Sequence, residues 1–198
     1  ASDVYKRQML RGAAARSGAL LETGADPVAM AGWRLARRLI EEGRIGKARW
    51  VQVVSRCNTR GTARAAGSTD NTAPDAGAWA AFLGTAPRRA LDTQRFFGWR
   101  DYADYSAGVF GGPFFDMLAP VVAVLGAPAP QAVSAAGGVA HEGARETPDT
   151  MLGTVEFAGG CTVMLSASAA DPPGASAVIR GSLGSLEVWP DAVRVTPE

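Results

Sequence analysis

Apolar positions recur at helical spacing in the first half of the chain and alternate in the second half. Over Met30–Glu42, Trp33, Ala36, Leu39 and Ile40 fall on one face, while Arg34, Arg37, Arg38 and Glu41 lie around the other. This predicts an amphipathic helix stopped by Gly43. Lys47–Ser55 carries Trp50, Val51, Val53 and Val54, a composition typical of a strand buried on much of both faces. Asn58–Gly77 is small and polar and reads as a long loop. Such a loop is either a lid, specificity or subunit-contact segment, or a tolerated insertion. Trp79–Leu83 reads as a short helix ended by Gly84. Met117, Leu118, Val121, Val122 and Leu125 form a second helical stripe over 117–125, with Pro120 expected in a first turn that tolerates it. Beyond it come short strand-like runs at Gln131–Ala136, Thr150–Phe157, Cys161–Ser168, Ser176–Arg180, Gly184–Trp189 and Ala192–Thr196. Cys161, Val163, Leu165 and Ala167 alternate with polar or flexible neighbours, and Gly159-Gly160 is a hairpin signal. Consecutive strands with tight turns predict a mostly antiparallel sheet. The earlier helices then cover one of its faces, giving an α+β fold.

Composition narrows the function. The chain has 198 residues, 47% of them apolar, enough for one sizeable core. Its net charge of +1 supplies no field for a phosphate backbone or an anionic bilayer, so neither nucleic acid nor membrane is an expected partner. The longest apolar run, near Pro120–Gly126, is too short to cross a bilayer. No signal-peptide pattern opens the chain, and the cytoplasm is the default expectation, although the start of this chain does not bear on export. The cysteines, Cys57 and Cys161, and one histidine, His141, leave no set of ligands for a zinc or iron site, so no metal is expected. Two buried free thiols are favoured over a disulfide. His141 reads as a solvated loop residue, Asp149 as the anchor of the turn before a strand, and Gly181-Ser182-Leu183-Gly184 as a tight turn with no helix behind it to hold phosphate.

The densest chemistry lies in Arg95-Phe96-Phe97-Gly98-Trp99-Arg100-Asp101-Tyr102, continued by Asp104-Tyr105-Ser106-Ala107-Gly108 and Gly111-Gly112-Pro113-Phe114-Phe115-Asp116. So many rings and guanidinium groups before an apolar helix suggest the lining of a cleft. Arg100 offers a planar fork suited to phosphate, carboxylate or hydroxyl groups. Its alternative is a surface pair with Asp101 or Asp104. Phe96 and Phe97 read as core, and Trp99 reads as core unless a ligand meets it. Asp116 is either a reactive carboxyl or a helix-start carboxylate favoured by the macrodipole.

The same segment resembles the Gfo/Idh/MocA family of nicotinamide-dependent sugar oxidoreductases, where Trp-Arg, a Tyr-Ser-Gly-Gly-like turn and an Asp-x-x-x-His helix start follow in this order. Glu42–Val51, Phe82–Pro87, Thr147–Thr150 and Ile179–Leu186 read like further family landmarks in family order. The resemblance implies that residues 28–198 are an incomplete C-terminal substrate and dimerisation domain. Residues 9–27 would then be a remnant of the nucleotide-binding Rossmann domain, ending in a helix over Ala13–Gly18 and a strand over Ala19–Gly24. Residues 1–8 fit nothing that follows and look like a translated linker. In the intact protein the resemblance implies NAD or NADP as cofactor and hydride transfer to or from a sugar, cyclitol or related polyol. No cofactor is expected on this chain alone, which lacks a G-x-G-x-x-G turn and a Glu-Lys-Pro motif. The open sheet face would make a homo-oligomer. Trp99 and Arg100 match a pair that touches cofactor in some members, and Tyr102 and Tyr105 are placed to stack on or hydrogen-bond a sugar, or else pack.

The alignment also puts Gly112 where the family has its Asp and Asp116 where it has its His. Glycine does no acid/base work. A carboxyl titrates at about 3.9 against about 6.5 for imidazole, so an Asp in that place acts as a base only where burial raises its proton affinity, and otherwise accepts a substrate hydroxyl. The alternative function is therefore a degenerate, non-catalytic carbohydrate-binding or assembly module.

Overall fold

The computed structural model describes residues 4–22, 24, 26–56, 74–127, 129–140, 145–168 and 177–198. Cys57, His141 and most of the expected 58–77 loop lie outside the described residues. In chain order the helices are α1 (Val4–Ser17), α2 (Asp26–Ala29), α3 (Ala31–Glu41), α4 (Ala76–Leu83), α5 (Thr93–Phe97) and α6 (Gly112–Leu125). The strands are β1 (Trp50–Arg56), β2 (Pro130–Gly138), β3 (Thr150–Phe157), β4 (Cys161–Ser168), β5 (Ala177–Arg180), β6 (Gly184–Val188) and β7 (Val193–Pro197).

These strands form one seven-stranded sheet in the order β2-β3-β4-β1-β5-β6-β7. Neighbours in sequence pair antiparallel: β3 with β4, β5 with β6 and β6 with β7 across short turns, and β2 with β3 across a longer connection. Both turn glycines before β4 are in the left-handed region, Gly159 at φ 95° and Gly160 at 83°, which is the freedom a hairpin uses. The exception is β1. It lies in the middle, parallel to β4 and antiparallel to β5, so the sheet is mixed, though mostly antiparallel.

Period-2 alternation sets the faces. Val51, Val53, Val155, Val163, Leu165, Ile179, Leu186 and Val188 point to one side, where they meet Trp33 and Ala36 of α3 and Met117, Val121 and Val124 of α6 in a single core. The register puts Trp50, Gln52, Val54, Met164, Val178 and Arg180 together on the other side, all half-buried or exposed. Strand β1 is thus buried on one face, not on both as its run of valines suggested. Helices cover a single sheet face, as expected for this α+β fold.

Two helices differ from their sequence patterns. The α6 helix begins at Gly112 with Pro113 in its first turn, so Pro120 falls in its interior. A proline there leaves the carbonyl of Asp116 without its donor four residues on, which is tolerable because Asp116 is exposed to water. With the turn before it, Gly108–Leu125 is an 18-residue apolar stretch long enough to cross a membrane, longer than the run picked out by sequence. Its buried positions Met117, Pro120, Val121 and Val124 follow the i, i+3, i+4, i+7 rule of a helix packed on a core. The α1 helix runs unbroken across residues 8 and 9, none of its residues 5–17 is buried, and Ala19–Glu22 forms no strand.

Close backbone approach fixes α3 against the β6–β7 turn. The amide of Gly32 donates to the Pro190 carbonyl at 2.9 Å, and a Cβ on Gly32 would stand 1.8 Å from the Trp189 carbonyl oxygen. Helix propensity alone would favour Gly32→Ala by about 1 kcal/mol. We predict the opposite sign, a loss of about 1–3 kcal/mol from overpacking, read from the urea unfolding midpoint.

Candidate functional site

Most rings of the aromatic segment face one another, while Arg95 at its start borders a surface pocket with residues 89–93. The rings make a second, smaller core beside the first. Helix α4 is started by Asp75, whose side chain accepts from the Ala78 amide at 2.7 Å. It delivers Trp79 and Leu83 inward, and Trp79 Nε1 donates to the Arg89 carbonyl at 2.9 Å. Phe82 sits 5.6 Å from Trp79, 5.1 Å from Phe96 and 4.9 Å from Tyr105 between ring centroids. These are stacked, edge-to-face and tilted pairings respectively, and they add to plain burial. Tyr102 and Tyr105 are each 8% exposed, so their rings are spent on packing and neither offers a face to a ligand in this chain. Phe96 packs against this cluster as a core residue, and Trp99 does the same.

A group of charges is set into this cluster around Arg95. Its side chain is 15% exposed. Nη2 bonds Glu146 at 2.8 Å, Nη1 stands 3.5 Å from Asp104, Nε 3.7 Å from Asp92, and the guanidinium lies 4.1 Å above the Tyr102 ring. Burial opposes the charge, but the bond and attraction from Glu146, with the nearby Tyr105 hydroxyl, more than offset it and raise the pKa of Arg95. Tyr102 is also pushed up, first by burial and then by the carboxylate of Asp92, against the pull of Arg95, with Asp101 and Glu146 adding to the rise. Arg95 Nη1 and the Tyr105 hydroxyl are buried without hydrogen-bond geometry to any described group.

The charge cluster ties down the turn that carries Trp99 and Arg100. Glu146 accepts from the Ala103 amide at 3.1 Å with its second oxygen. The amides of Glu146 and Thr147 donate to the Asp101 carbonyl at 2.7 and 3.2 Å. The Thr147 hydroxyl donates to the Arg100 carbonyl at 2.8 Å. Arg145 pairs with Asp101, and Arg89 with Asp104 at 3.0 Å. Both acids once considered for Arg100 are therefore taken, and Arg100 enters no ion pair among the described residues. It is exposed, its guanidinium 4.2 Å over the Trp99 ring. Gly108 closes the turn at φ +61°, where a Cβ would meet the Pro148 carbonyl oxygen at 2.6 Å. Asp149, fully buried, accepts from the Ala140 amide at 2.7 Å and anchors the start of β3 as the sequence suggested.

Trp99, Arg100, Tyr102 and Tyr105 thus come together in one unit. Asp116 does not join their network. It is exposed on the first turns of α6, with no hydrogen bond or ion pair among the described residues. The burial that would make it a base is missing. Sequence reading passed over Glu146 and Asp92, gave Arg95 no role of its own within its segment, and took Asp104 only as a partner for Arg100; the signal for the group was the clustering of opposite charges at 89–104 and 145–146. No group of metal-ligating side chains occurs among the described residues, and Cys161 is a half-buried free thiol raised by burial.

Two substitutions check this geometry. A raised phenol favours the neutral form in the fold, so its stabilisation is complete below the ordinary value of about 10 and fades as pH rises through the raised native value. Between about pH 9 and pH 11 the parent's unfolding midpoint should fall more steeply than that of Tyr102→Phe. Tyr105→Phe removes a buried hydroxyl that lies beside Arg95 without good hydrogen-bond geometry, and should change stability by no more than about 1 kcal/mol in the same assay.

No protein-family model matches the sequence, and no curated protein sequence matches it. Solved structures do match the fold. The aldose-aldose oxidoreductase from Caulobacter crescentus, complexed with glycerol, matches at TM-score 0.67 and 17% identity, over 98% of this chain and 50% of that one. The WlbA dehydrogenase from Chromobacterium violaceum, in complex with NADH and UDP-GlcNAcA, matches at 0.67 and 15%, over 99% and 49%. An NAD-binding protein from Listeria innocua matches at 0.65 and 12%, over 96% and 45%. The chain spans about half the length of these structures, and over that half it shares their fold.

Proposed function

We propose that this chain is part of an NAD(P)-dependent oxidoreductase that moves a hydride between the nicotinamide and a sugar, cyclitol or related polyol. The observation that carries the reading is the fold likeness over nearly the whole chain to oxidoreductases, one solved with glycerol and one with NADH and a nucleotide sugar. In this reading the turn at 99–101 faces the substrate. Arg100 supplies the recognition, since an exposed guanidinium backed by Trp99 and free of carboxylate partners among the described residues can fork two hydroxyls or one carboxylate.

The dinucleotide itself fits poorly on this chain. Among the described residues no strand leads through a glycine-rich turn into a helix N-terminus, the arrangement that cradles a pyrophosphate. The phosphates would be held by residues outside those described, with Trp99 and Arg100 at most touching the cofactor's edge. Proton transfer also needs a group from elsewhere, because Gly112 carries none and Asp116 is exposed. Asp116 suits the role of hydroxyl acceptor.

That same pair of positions favours a second reading, a non-catalytic carbohydrate-binding or assembly module. The sheet face that no described helix covers, with the half-buried Trp50, Val54, Met164 and Val178 on it, suits a homo-oligomer in either reading.

The test is to read the coding sequence on both sides of this chain, express the whole reading frame and assay NAD(P)-linked turnover of sugars and polyols. We expect turnover from the whole protein and none from the 198-residue chain. In the whole protein Arg100→Ala should raise KM by about 10–100-fold with kcat little changed, the size of a hydrogen bond to a charged group. Asp116→Asn should act in the same direction. A fall in kcat of about 10²-fold or more would instead make Asp116 an acid/base group. No turnover with any substrate would favour the binding or assembly module.

A further inference from the structure

We propose that Arg95 is a positioning residue, which sets the turn bearing Arg100 through Glu146 and so fixes the affinity of the site for its polyol. This rests on the reading that Arg100 meets the substrate. Arg95 touches neither Trp99 nor Arg100 in any bond described above, and its effect travels through one carboxylate. Glu146 gives one oxygen to Arg95 Nη2 at 2.8 Å and the other to the Ala103 amide at 3.1 Å. Its own amide, with that of Thr147, holds the Asp101 carbonyl, and the Thr147 hydroxyl holds the Arg100 carbonyl. The backbone that leaves Arg100, its own carbonyl and that of Asp101, is therefore tied to a segment whose place depends on the Arg95 fork.

Among the described residues the neighbouring arginines have partners of their own. Arg89 is engaged with Asp104 and Arg145 with Asp101. Without Arg95, Asp92 and Glu146, which already reach water, would lose the cation that draws them together, and Asp104 would keep only Arg89. Lysine keeps the charge but cannot bridge several acids with planar geometry. Arg95 thus orders the turn by cancelling charge and by reaching Asp92, Asp104 and Glu146 at once, while Tyr102 holds its flat face.

Amide exchange followed by NMR on the 198-residue chain tests this without any need for activity. Arg95→Met should lower protection of the Ala103, Glu146 and Thr147 amides by about tenfold or more, while the amides of the β3–β4 pairing keep theirs. Arg95→Lys, the milder change should the first variant not fold, should show the same local loss at smaller size. Adding Glu146→Gln to Arg95→Met removes the stranded charge and should restore part of the protection. Unchanged protection at the three amides, a loss spread evenly over the sheet, or a further loss in the double variant would each overturn the proposal. In the whole protein, Arg95→Met should raise KM about tenfold with kcat within about twofold, and an equal fall in kcat would also overturn it. If the parent protein turns over no polyol, the oxidoreductase reading fails, and the exchange measurement still decides whether Arg95 positions the turn.

Discussion

The pairing of β1 is the interaction on which the remaining structure depends. Strands β2-β3-β4 form one antiparallel unit and β5-β6-β7 another, each closed by local turns. They join through β1, which pairs at seven positions with β4 and at four with β5. Both partners come more than a hundred residues later, so the pairing closes long loops. The entropy of closure grows slowly with length, and the return is large: Val51 and Val53 become buried, each contributing about 1.5–3 kcal/mol. Only a sheet made continuous by β1 is broad enough to carry α3 on the β6 side and α6 on the β4 side.

The candidate site depends on that sheet at one remove. The segment that leads into β3 carries Arg145, Glu146 and Thr147, and these hold the 99–104 turn by an ion pair, a carboxylate and backbone bonds. A small aromatic core then buries the rest of the segment. The result divides labour among neighbours in sequence. Tyr102 and Tyr105 serve packing, Arg95 serves charge balance, and Arg100 is left facing water on a rigid aromatic support.

What the sequence disclosed followed from local pattern. Helical spacing gave α3 to within a residue, and period-2 alternation with glycine turns gave β3 and β4 at their observed bounds. What it hid was partnership. Nothing in Trp50–Ser55 says that its neighbours are β4 and β5, so a run of valines read as burial on both faces when one face is open. Rings at 96–105 read as cleft because composition cannot tell a ring facing a ligand from one facing another ring. Pro120 read as a helix start because the apolar stripe began at Met117, whereas the helix begins at Gly112.

Native-state amide exchange across increasing denaturant measures the joining role of β1 most directly. The account predicts that amides of β1, β4 and β5 exchange at one free energy and with one denaturant slope, because neither half of the sheet keeps its pairing once β1 leaves. Protection in β5-β6-β7 that is lost at lower free energy and with a smaller slope, while β4 stays protected, would contradict it.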